Sequence, residues 1–393
     1  MKVALLSDCY LPRLGGIESQ VSDLAVHLAR AGHEVEVFTA TAGAQGQVGG
    51  VIEDVDGIPV HRLATKLTMG VPINPLATSE VRHRLRHGGF DVAHAHMGVI
   101  SPFAVDTARL ALLLRIPTAV TWHSVIDRAA PWYAARKTFS DWAQQGAALS
   151  AVSTLAAEHV TRVVGDDVPI TVLHNGIDLS TWRAAAADRA QRHVGDDLAL
   201  AQAAGVVSGG GAREVHLVTA TRLAPRKRPD VLLDLVARAR ERVPATIGMQ
   251  LDVLGEGPMR RQLGRRLRRL GIGDWARLRG RVPRADLVDL YRDAHVYLSP
   301  TRLEAFGVAA LEARTAGLPV IAMAESGVRD IIEDGVNGLL ARDDDHFVDQ
   351  IVRLVTDHAL RGEIALRNAT IPPVQSWDTV VDLVEAEYLR AGA

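Results

Sequence analysis

Short apolar runs recur along the chain, and polar or glycine-rich stretches follow them. The first such stretch, residues 2–39, predicts a strand over residues 2–7, a loop over 8–16, a helix over 17–31 and a second strand over 33–39. Runs without polar alternation are typical of parallel strands that are buried on both faces. The pattern therefore predicts an α/β protein built from strand–helix–strand units, with ligand sites at the carboxyl ends of the strands.

Polar residues follow further predicted strands in both halves of the chain. Residues 91–96 and 117–124 repeat the pattern in the first half, and residues 251–258 and 278–282 repeat it in the second. Residues 299–338 have the pattern of a strand end, a polar loop, a helix over about 308–314, a short strand and another loop. The second half therefore contains the same kind of unit as the first.

Length and composition indicate two globular domains. A chain of 393 residues is too long for one ordinary core, and 48% hydrophobic with 23% charged residues is typical of a folded protein. The net charge of −2 gives no electrostatic reason to expect nucleic acid as a partner. A single cysteine, Cys9, excludes an intrachain disulfide framework and fits a reducing compartment. With no signal-peptide pattern ahead of residue 2, we expect a cytoplasmic protein that is soluble or at most peripheral on the inner membrane face.

The domain boundaries follow from a change in composition. Residues 183–213 are rich in Ala, Gln and Gly and include the run Ser208-Gly209-Gly210-Gly211, which is typical of a flexible linker. We therefore expect a first domain over residues 1–182 and a second domain over residues 214–375.

Two carboxylates flank a helix entrance in the segment 299–338. Glu304 precedes the predicted helix and Glu312 lies inside it. Between them, the amides of Phe306, Gly307 and Val308 have no intrahelical partners, and such an entrance attracts phosphate. A nucleoside-diphosphate sugar has matching parts, namely sugar hydroxyls, a pyrophosphate and ribose hydroxyls. The alternative is a surface helix with two unrelated glutamates.

The same four positions resemble a known motif. Glu304, Phe306, Gly307 and Glu312 match the E-x7-E motif of family four of the retaining glycosyltransferases, and the resemblance extends over nearly the whole chain. It implies the GT-B fold, in which two Rossmann-like domains face each other across a cleft. It also implies that the last helix, over about 377–389 within a segment 376–393, returns to complete the first domain. It also implies a nucleoside-diphosphate sugar as donor, no metal ion and no further cofactor.

The resemblance assigns further donor-binding residues. Arg222 and Lys227 match the pair that holds the donor pyrophosphate, although Arg226 and Arg228 leave open a solvated basic turn. The family positions the base through the backbone, here near Arg281 and Val282. The other implied donor contacts are the glycines Gly15, Gly16 and Gly255, with a plain tight turn as the alternative for Gly15 and Gly16.

Histidines follow two of the predicted strands. His94 and His96 have the spacing of two side chains on one face of a strand, which allows a metal pair but shows no third ligand nearby. We expect His96 to line the cleft. His123 matches the family histidine that contacts the reacting sugar, although a lone strand-end histidine is more often structural. The implied catalytic residues are Glu304, His123, Arg222 and Lys227, and we expect no metal site.

Several other segments are interpreted as structural. Asn175-Gly176 is expected to supply a tight turn that closes the first domain. Asp343-Asp344-Asp345 is expected to cap a helix that begins near His346 and not to bind a metal. The arginine-rich run over 260–269 is interpreted as the solvated face of an amphipathic helix. A second basic cluster, over 82–87, is the better candidate for contact with a membrane.

The resulting hypothesis is a retaining glycosyltransferase that moves a hexose, such as mannose, from a GDP- or UDP-linked donor to an acceptor hydroxyl, giving an α-glycoside. Residues 7–19 are similar to those of phosphatidylinositol-directed members, so the acceptor is a phosphoinositide or other lipid, a small molecule or a glycan. A glycosidase is disfavoured, because it needs two carboxylates at the sugar and this sequence offers no clear partner for Glu304. A GT-B sugar-nucleotide epimerase and a catalytically silent nucleotide-sugar scaffold stay open as alternatives. A dehydrogenase is disfavoured, because the sequence does not contain the G-x-G-x-x-G fingerprint of dinucleotide-binding proteins.

Overall fold

The computed structural model describes residues 1–13, 15–64, 77–126, 138–189 and 213–393. The chain divides into two compact units. The first unit comprises Met1–Gly176 together with Gln375–Ala393, and the second comprises Ile177–Val374. Residues 183–189 of the expected linker belong to a helix of the second unit, and residues 190–212 lie outside the described residues.

The first unit contains an eight-stranded sheet in the order β3-β4-β2-β1-β5-β6-β7-β8, in which only β3 and β4 pair antiparallel. Its strands are β1 (Lys2–Ser7), β2 (Glu34–Thr39), β3 (Val51–Val55), β4 (Ile58–Arg62), β5 (Val92–Met97), β6 (Thr118–Trp122), β7 (Ala148–Ala151) and β8 (Ile170–Val172). Its helices before the second unit begins are α1 (Gly16–Arg30), α2 (Ala77–His87), α3 (Pro102–Leu113), α4 (Thr138–Gln144) and α5 (Thr154–Val164).

The second unit contains a fully parallel six-stranded sheet in the order β11-β10-β9-β12-β13-β14. Its strands are β9 (Arg213–Ala220), β10 (Ile247–Leu254), β11 (Ala276–Gly280), β12 (Val296–Ser299), β13 (Val320–Met323) and β14 (Gly338–Ala341). Its helices are α6 (Leu179–Arg189), α7 (Pro229–Arg242), α8 (Arg260–Leu270), α9 (Arg284–Asp293), α10 (Val308–Thr315), α11 (Asp344–Thr356) and α12 (His358–Thr370). The two parallel-sheet units confirm the predicted α/β fold class.

The last helix, α13 (Trp377–Arg390), packs in the core of the first unit through Trp377 and Tyr388. The expected tight turn at Asn175-Gly176 is wrong, because residues 173–176 run on from β8 without a turn. Both backbone groups of Gly176 are bound by the Gln20 amide, each at 3.0 Å. A side chain at Gly176 would meet the Trp377 ring at 2.4 Å, so glycine is required there for close packing of α13.

Two structural interpretations are confirmed in the second unit. Leu263 and Leu267 of α8 are buried, while Arg261, Arg265, Arg268 and Arg269 are exposed, as expected of an amphipathic helix. Asp343 caps α11, because its carboxylate accepts the His346 amide at 2.7 Å. Within the described ranges, no helix is long and apolar enough to cross a membrane.

Candidate active site

The strand order of the second unit brings two distant loops together. Strands β9 and β12 are neighbours although β10 and β11 lie between them in sequence, so this is a point where the order of the sheet reverses. Ligands of open α/β sheets bind outside the carboxyl ends of strands at such a point. The loop after β9 carries Lys227 and the loop after β12 carries Glu304. Their side chains form an ion pair in which the Lys227 ammonium donates to Glu304 Oε2.

The basic side chains of the turn before α7 lie in different environments. Arg228 has a left-handed backbone (φ 53°) and donates to the Pro300 carbonyl at 3.0 Å and to both Asp344 oxygens at 2.7–2.9 Å. Arg228 therefore braces the two loops and is not available to a ligand. Arg222 and Arg226 are exposed. The turn is thus partly structural. Its remaining cations are Arg222, Arg226 and Lys227, of which Arg222 and Lys227 are the predicted phosphate-binding pair.

The glycine-rich loop after β10 packs directly on the loop after β9. A Cβ at Gly255 would lie 1.9 Å from the Thr221 carbonyl oxygen, and one at Gly257 would lie 2.4 Å from the Leu223 carbonyl oxygen. The Gly255 amide also donates to the carbonyl of Gly280 at 2.7 Å. These contacts place Gly255 beside the Arg222 turn and next to the loop that carries the predicted residues Arg281 and Val282.

The entrance of α10 completes this edge of the sheet. Gly307 caps the helix with φ +96°, and a Cβ there would lie 2.6 Å from Val328 Cγ2. The first intrahelical bonds come from the Ala310 and Leu311 amides, so the Val308 amide precedes them. The Phe306 side chain is buried. Phe306 therefore anchors the loop by packing, and only its backbone is placed at the helix entrance.

Glu312 lies in a different environment from Glu304. It is buried within α10, and its Oε1 lies 3.3 Å from a guanidinium nitrogen of Arg284, the first residue of α9. The Arg284 guanidinium in turn lies over the Trp182 ring at 5.9 Å. Sequence reasoning missed Arg284, although its place just after the Arg281-Val282 loop marked it as a further cation near a strand end.

Three histidines of the first unit lie next to one another, His94 and His96 on β5 and His123 directly after β6. The His94 and His96 rings lie 4.1 Å apart, which confirms that they share one face of β5. His96 Nδ1 lies 3.0 Å from His123 Nε2. Burial lowers the pKa of His94 to about 3 and that of His123 to about 4, and it lowers the pKa of His96 well below its ordinary value. All three imidazoles are therefore neutral at pH 7.

No metal site is formed by these residues in the described parts of the chain, where no group of three or more His, Cys, Asp or Glu side chains could hold an ion. His94 instead bonds to Tyr388 and Thr121. His94 is thus part of a hydrogen-bonded core and is not one of a pair of metal ligands.

A carboxylate lies at the entrance of α1, where Gly15 and Gly16 are placed. Gly15 caps the helix, and a Cβ there would lie 2.3 Å from Glu18 Oε2. The Glu18 carboxylate is buried and pairs with Arg13 at 3.0 Å. A donor phosphate at this entrance would have to displace Glu18 or be balanced by Arg13.

Asp8, directly after β1, is a further residue that sequence reasoning missed. It is buried, and its carboxylate accepts the amides of Phe103 and Ala104 at 3.0 and 2.9 Å. It therefore joins the end of β1 to the start of α3 at the point where the order of the first sheet reverses. Burial raises the pKa of Asp8 to about 7. The sequence does contain a signal for Asp8, which is a carboxylate that follows the apolar run of β1.

Comparison with known proteins identifies the family. The model for glycosyl transferases group 1 matches residues 212–369, and that for Glycosyltransferase Family 4 matches residues 14–181. The D-inositol 3-phosphate glycosyltransferase of Kribbella flavida is 30% identical, over 96% of this chain and 91% of the relative. The enzyme of the same description from Mycobacterium avium is also 30% identical, over 96% of this chain and 89% of the relative.

Solved structures share the fold. The Anabaena HepE structure in complex with UDP has a TM-score of 0.73 and 21% identity, with 98% of this chain and 99% of that chain covered. Sucrose-phosphate synthase from Thermosynechococcus elongatus has a TM-score of 0.73 and 21% identity, with both chains covered in full. The chain therefore belongs to the family-four group of glycosyltransferases and has the GT-B fold.

Proposed function

We propose that the protein transfers a hexose from a UDP- or GDP-linked donor to an acceptor hydroxyl with retention at the anomeric carbon, without a metal ion. The observation that carries this proposal is the meeting of Lys227 and Glu304 beside the entrance of α10. A cation, a carboxylate and a helix N-terminus at one edge of a parallel sheet suit the pyrophosphate and sugar of such a donor. Similar structures are described in complex with UDP and with UDP-glucose.

In this proposal the second unit binds the donor. Arg222, Lys227 and the amides at Gly307 and Val308 stabilise the negative charge that develops on the leaving diphosphate. Glu304 accepts hydrogen bonds from sugar hydroxyls. The remaining predicted contacts are Glu312 with the ribose hydroxyls, and the backbone of Gly255, Arg281, Val282 and Phe306 with the nucleotide.

The chemical step uses no base from the protein. The acceptor oxygen forms its bond to the anomeric carbon on the face from which the diphosphate departs. As the bond between the anomeric carbon and the phosphate oxygen breaks, its electron pair goes to the diphosphate, which also takes the acceptor proton. His123 is neutral at pH 7 because burial lowers its pKa to about 4. It is therefore an uncharged hydrogen-bonding group and not a cation.

The acceptor is proposed from the relatives. Those at about 30% identity are described as D-inositol 3-phosphate glycosyltransferases. Because residues 7–19 are similar to those of phosphatidylinositol-directed members, we propose an inositol-containing acceptor, either soluble or lipid-linked, and a cytoplasmic site of action. Peripheral contact with the inner membrane face belongs to the lipid-linked case.

The test is an assay of the purified protein with UDP- and GDP-hexoses, with and without D-inositol 3-phosphate or phosphatidylinositol. We expect a glycosylated acceptor whose anomeric coupling constant in ¹H NMR shows the α configuration, with the rate unchanged by EDTA. A β-glycoside would contradict retention, and loss of the rate in EDTA would contradict metal independence. An isomerised sugar nucleotide formed from the donor alone would indicate an epimerase instead. Donor binding without turnover across all acceptors would indicate a silent scaffold.

A further inference from the structure

The carboxylate of Asp344 is shared by two arginines from different loops of the second unit. One guanidinium nitrogen of Arg228 donates to both Asp344 oxygens, at 2.7 and 2.9 Å. Arg302 donates to Asp344 Oδ1 at 3.1 Å. Asp344 lies in the first turn of α11, directly after the residue that caps this helix. Its carboxylate therefore does more than complement a helix N-terminus.

The two arginines are neighbours in sequence of the two residues that the proposed function assigns to the donor. Arg228 directly follows Lys227 in the loop after β9. Arg302 lies two residues before Glu304 in the loop after β12. Asp344 belongs to the segment after β14, so its contacts join both donor-binding loops to the start of α11 at the carboxyl edge of the sheet.

The backbones of the two loops have hydrogen bonds of their own. The Thr301 hydroxyl donates to the Lys227 carbonyl at 3.3 Å, and the Gly327 amide donates to the Glu304 carbonyl at 2.8 Å. Neither bond involves Asp344. The loops therefore keep these bonds when the Asp344 carboxylate is removed, and we expect a variant at this position to fold.

The Asp344 carboxylate also separates two like charges. Because Arg228 and Arg302 both donate to Asp344 Oδ1, their guanidinium groups lie on either side of one oxygen atom. Without the carboxylate these cations would repel each other and push the two loops apart. All three side chains are partly exposed, so the ion pairs are screened and contribute little to the free energy of unfolding. Their loss should change the positions of the loops more than the stability of the unit.

We propose that Asp344 is a positioning residue that sets the separation of Lys227 and Glu304. It holds Arg228 of one loop and Arg302 of the other against the start of α11. It acts through these two loops and not on the donor itself. This inference rests on the proposed function, in which Lys227 binds the pyrophosphate and Glu304 binds the sugar.

Asp345, the next residue of the same helix, provides a matched control. It pairs with Arg238 of α7 at 2.5 Å, and its side chain is 85% exposed. Asp344→Asn and Asp345→Asn make the same chemical change in the same helical turn, but only the first removes a carboxylate from the two loops. Arg228→Gly breaks the Asp344 contact from the other side. Its cost to the backbone is small, because Arg228 has a φ of 53°, which glycine adopts readily.

The experiment measures kcat, donor KM and melting temperature for these three single variants and for the double variant Asp344→Asn with Arg228→Gly. We expect Asp344→Asn and Arg228→Gly each to lower kcat about 10- to 30-fold, because small displacements of reacting groups are costly. Donor KM should stay within about 3-fold of wild type, because both donor-binding side chains are still present. The double variant should lose no more than the larger single loss, since both changes break one contact. Asp345→Asn should keep the kcat of the wild type.

Crystal structures of the wild type and of Asp344→Asn give a second measurement, which does not depend on activity. We expect the contact between Lys227 and Glu304 to be lost in the variant, with the loop that carries Arg302 displaced. Unchanged positions of both loops would refute the positioning role. If Asp344→Asn is too unstable to assay, Arg228→Gly replaces it, with the same expected loss of kcat.

Two kinetic results would overturn the inference alone. One is a wild-type kcat in Asp344→Asn while Glu304→Gln is impaired. The other is an equal loss of kcat in Asp344→Asn and Asp345→Asn, which would reflect the charge at the helix N-terminus and not the loops. Absence of transfer by the wild type, or full activity of both Lys227→Ala and Glu304→Gln, would instead contradict the proposed function and with it the role of Asp344.

Discussion

The Lys227 ammonium pairs with Glu304 at the carboxyl edge of the second sheet, although 77 residues separate them in sequence. In the proposed function these two side chains hold different parts of the donor, Lys227 the pyrophosphate and Glu304 the sugar. Donor binding must therefore exchange their contact with each other for contacts with the ligand. Both side chains are partly exposed, which allows this exchange.

Glu304→Gln should separate the two roles. It removes the carboxylate that grips the sugar and releases Lys227, so we expect kcat to fall about 100-fold, or about 2.7 kcal/mol of transition-state stabilisation. Binding of free UDP or GDP should become equal or tighter, because Lys227 no longer has a competing carboxylate. Steady-state kinetics and calorimetry measure the two effects. Asp234→Asn, which breaks the Arg266 ion pair in the same unit, is the control and should change neither. Weaker nucleotide binding in Glu304→Gln would refute the competition.

Gly307→Ala should damage the α10 entrance through its backbone and its packing. The positive φ of +96° costs about 1 kcal/mol for a residue with a Cβ, and the contact with Val328 Cγ2 at 2.6 Å adds to it. We expect a loss of about 2 kcal/mol in thermal or urea unfolding, together with weaker nucleotide binding. Adding Val328→Ala to Gly307→Ala should recover only the part of this loss that comes from packing. Gly335→Ala, with φ +76° and open space around it, should show the backbone part alone. Equal losses of stability in Gly307→Ala and Gly335→Ala would refute the packing contribution.

The sequence predicts the strand ends better than it predicts their meeting. Glu304 and Lys227 could each be placed after a strand, because an apolar run that ends in polar residues is a local signal. Their contact depends on β9 lying beside β12, which no local pattern shows. Arg284 was missed for the same reason, since its partner Glu312 comes from another helix. The turn predicted at Gly176 was wrong because that glycine accommodates Trp377, a residue of the distant last helix.

Arg284→Met should affect donor binding more than catalysis. Arg284 lies 3.3 Å from Glu312 and holds a buried carboxylate that the proposal assigns to the ribose. Because the arginine side chain is 44% exposed, the pair is screened, and we expect the donor KM to rise about 3- to 10-fold with little change in kcat. A double-mutant cycle with Glu312→Gln measures the coupling. Arg292→Met, on the same helix α9 and paired with Asp188 and Asp289, is the control. A fall in kcat at unchanged KM would contradict this role.

The two basic helix faces should differ in membrane contact if the acceptor is lipid-linked. Arg82 and Arg86 are exposed on α2, while Arg84 is held by Glu80 and the Gly50 carbonyl. Each basic residue near an anionic surface contributes about 1 kcal/mol. We expect Arg82→Glu with Arg86→Glu to weaken co-sedimentation with phosphatidylinositol vesicles at least about 10-fold, a consequence of reversing two charges.

The matched control reverses two arginines of α8, Arg265→Glu with Arg269→Glu, which are equally exposed. This variant should keep its vesicle binding. Equal losses in both double variants would show that binding reflects total charge, and no binding by the wild type would remove the membrane from the proposal.

Asp8 should make the stability of the first unit depend on pH. Burial raises the pKa of Asp8 from 3.8 to about 7, so between these values the folded protein holds a proton that the unfolded chain has lost. Its contribution to stability therefore falls as pH rises from about 4 to 7. The buried histidines act with the opposite sign, because their pKa values are lowered and unfolding lets them bind protons below pH 6.5. The Asp8 effect must therefore be measured as the difference between a variant and the wild type.

Asp8→Asn removes this titration and sacrifices one of the two hydrogen bonds to the Phe103 and Ala104 amides, a loss of about 1 kcal/mol that is independent of pH. Relative to wild type, the variant should therefore gain stability between pH 5 and pH 7, by at most about 1.4 kcal/mol per pH unit. Urea unfolding at pH 5, 6, 7 and 8, followed by circular dichroism, measures this difference. Asp167→Asn, at an exposed position of the same unit, should show a constant difference. A constant difference for Asp8→Asn as well would mean that Asp8 is already ionised at pH 5, and that the amides of α3 outweigh its burial.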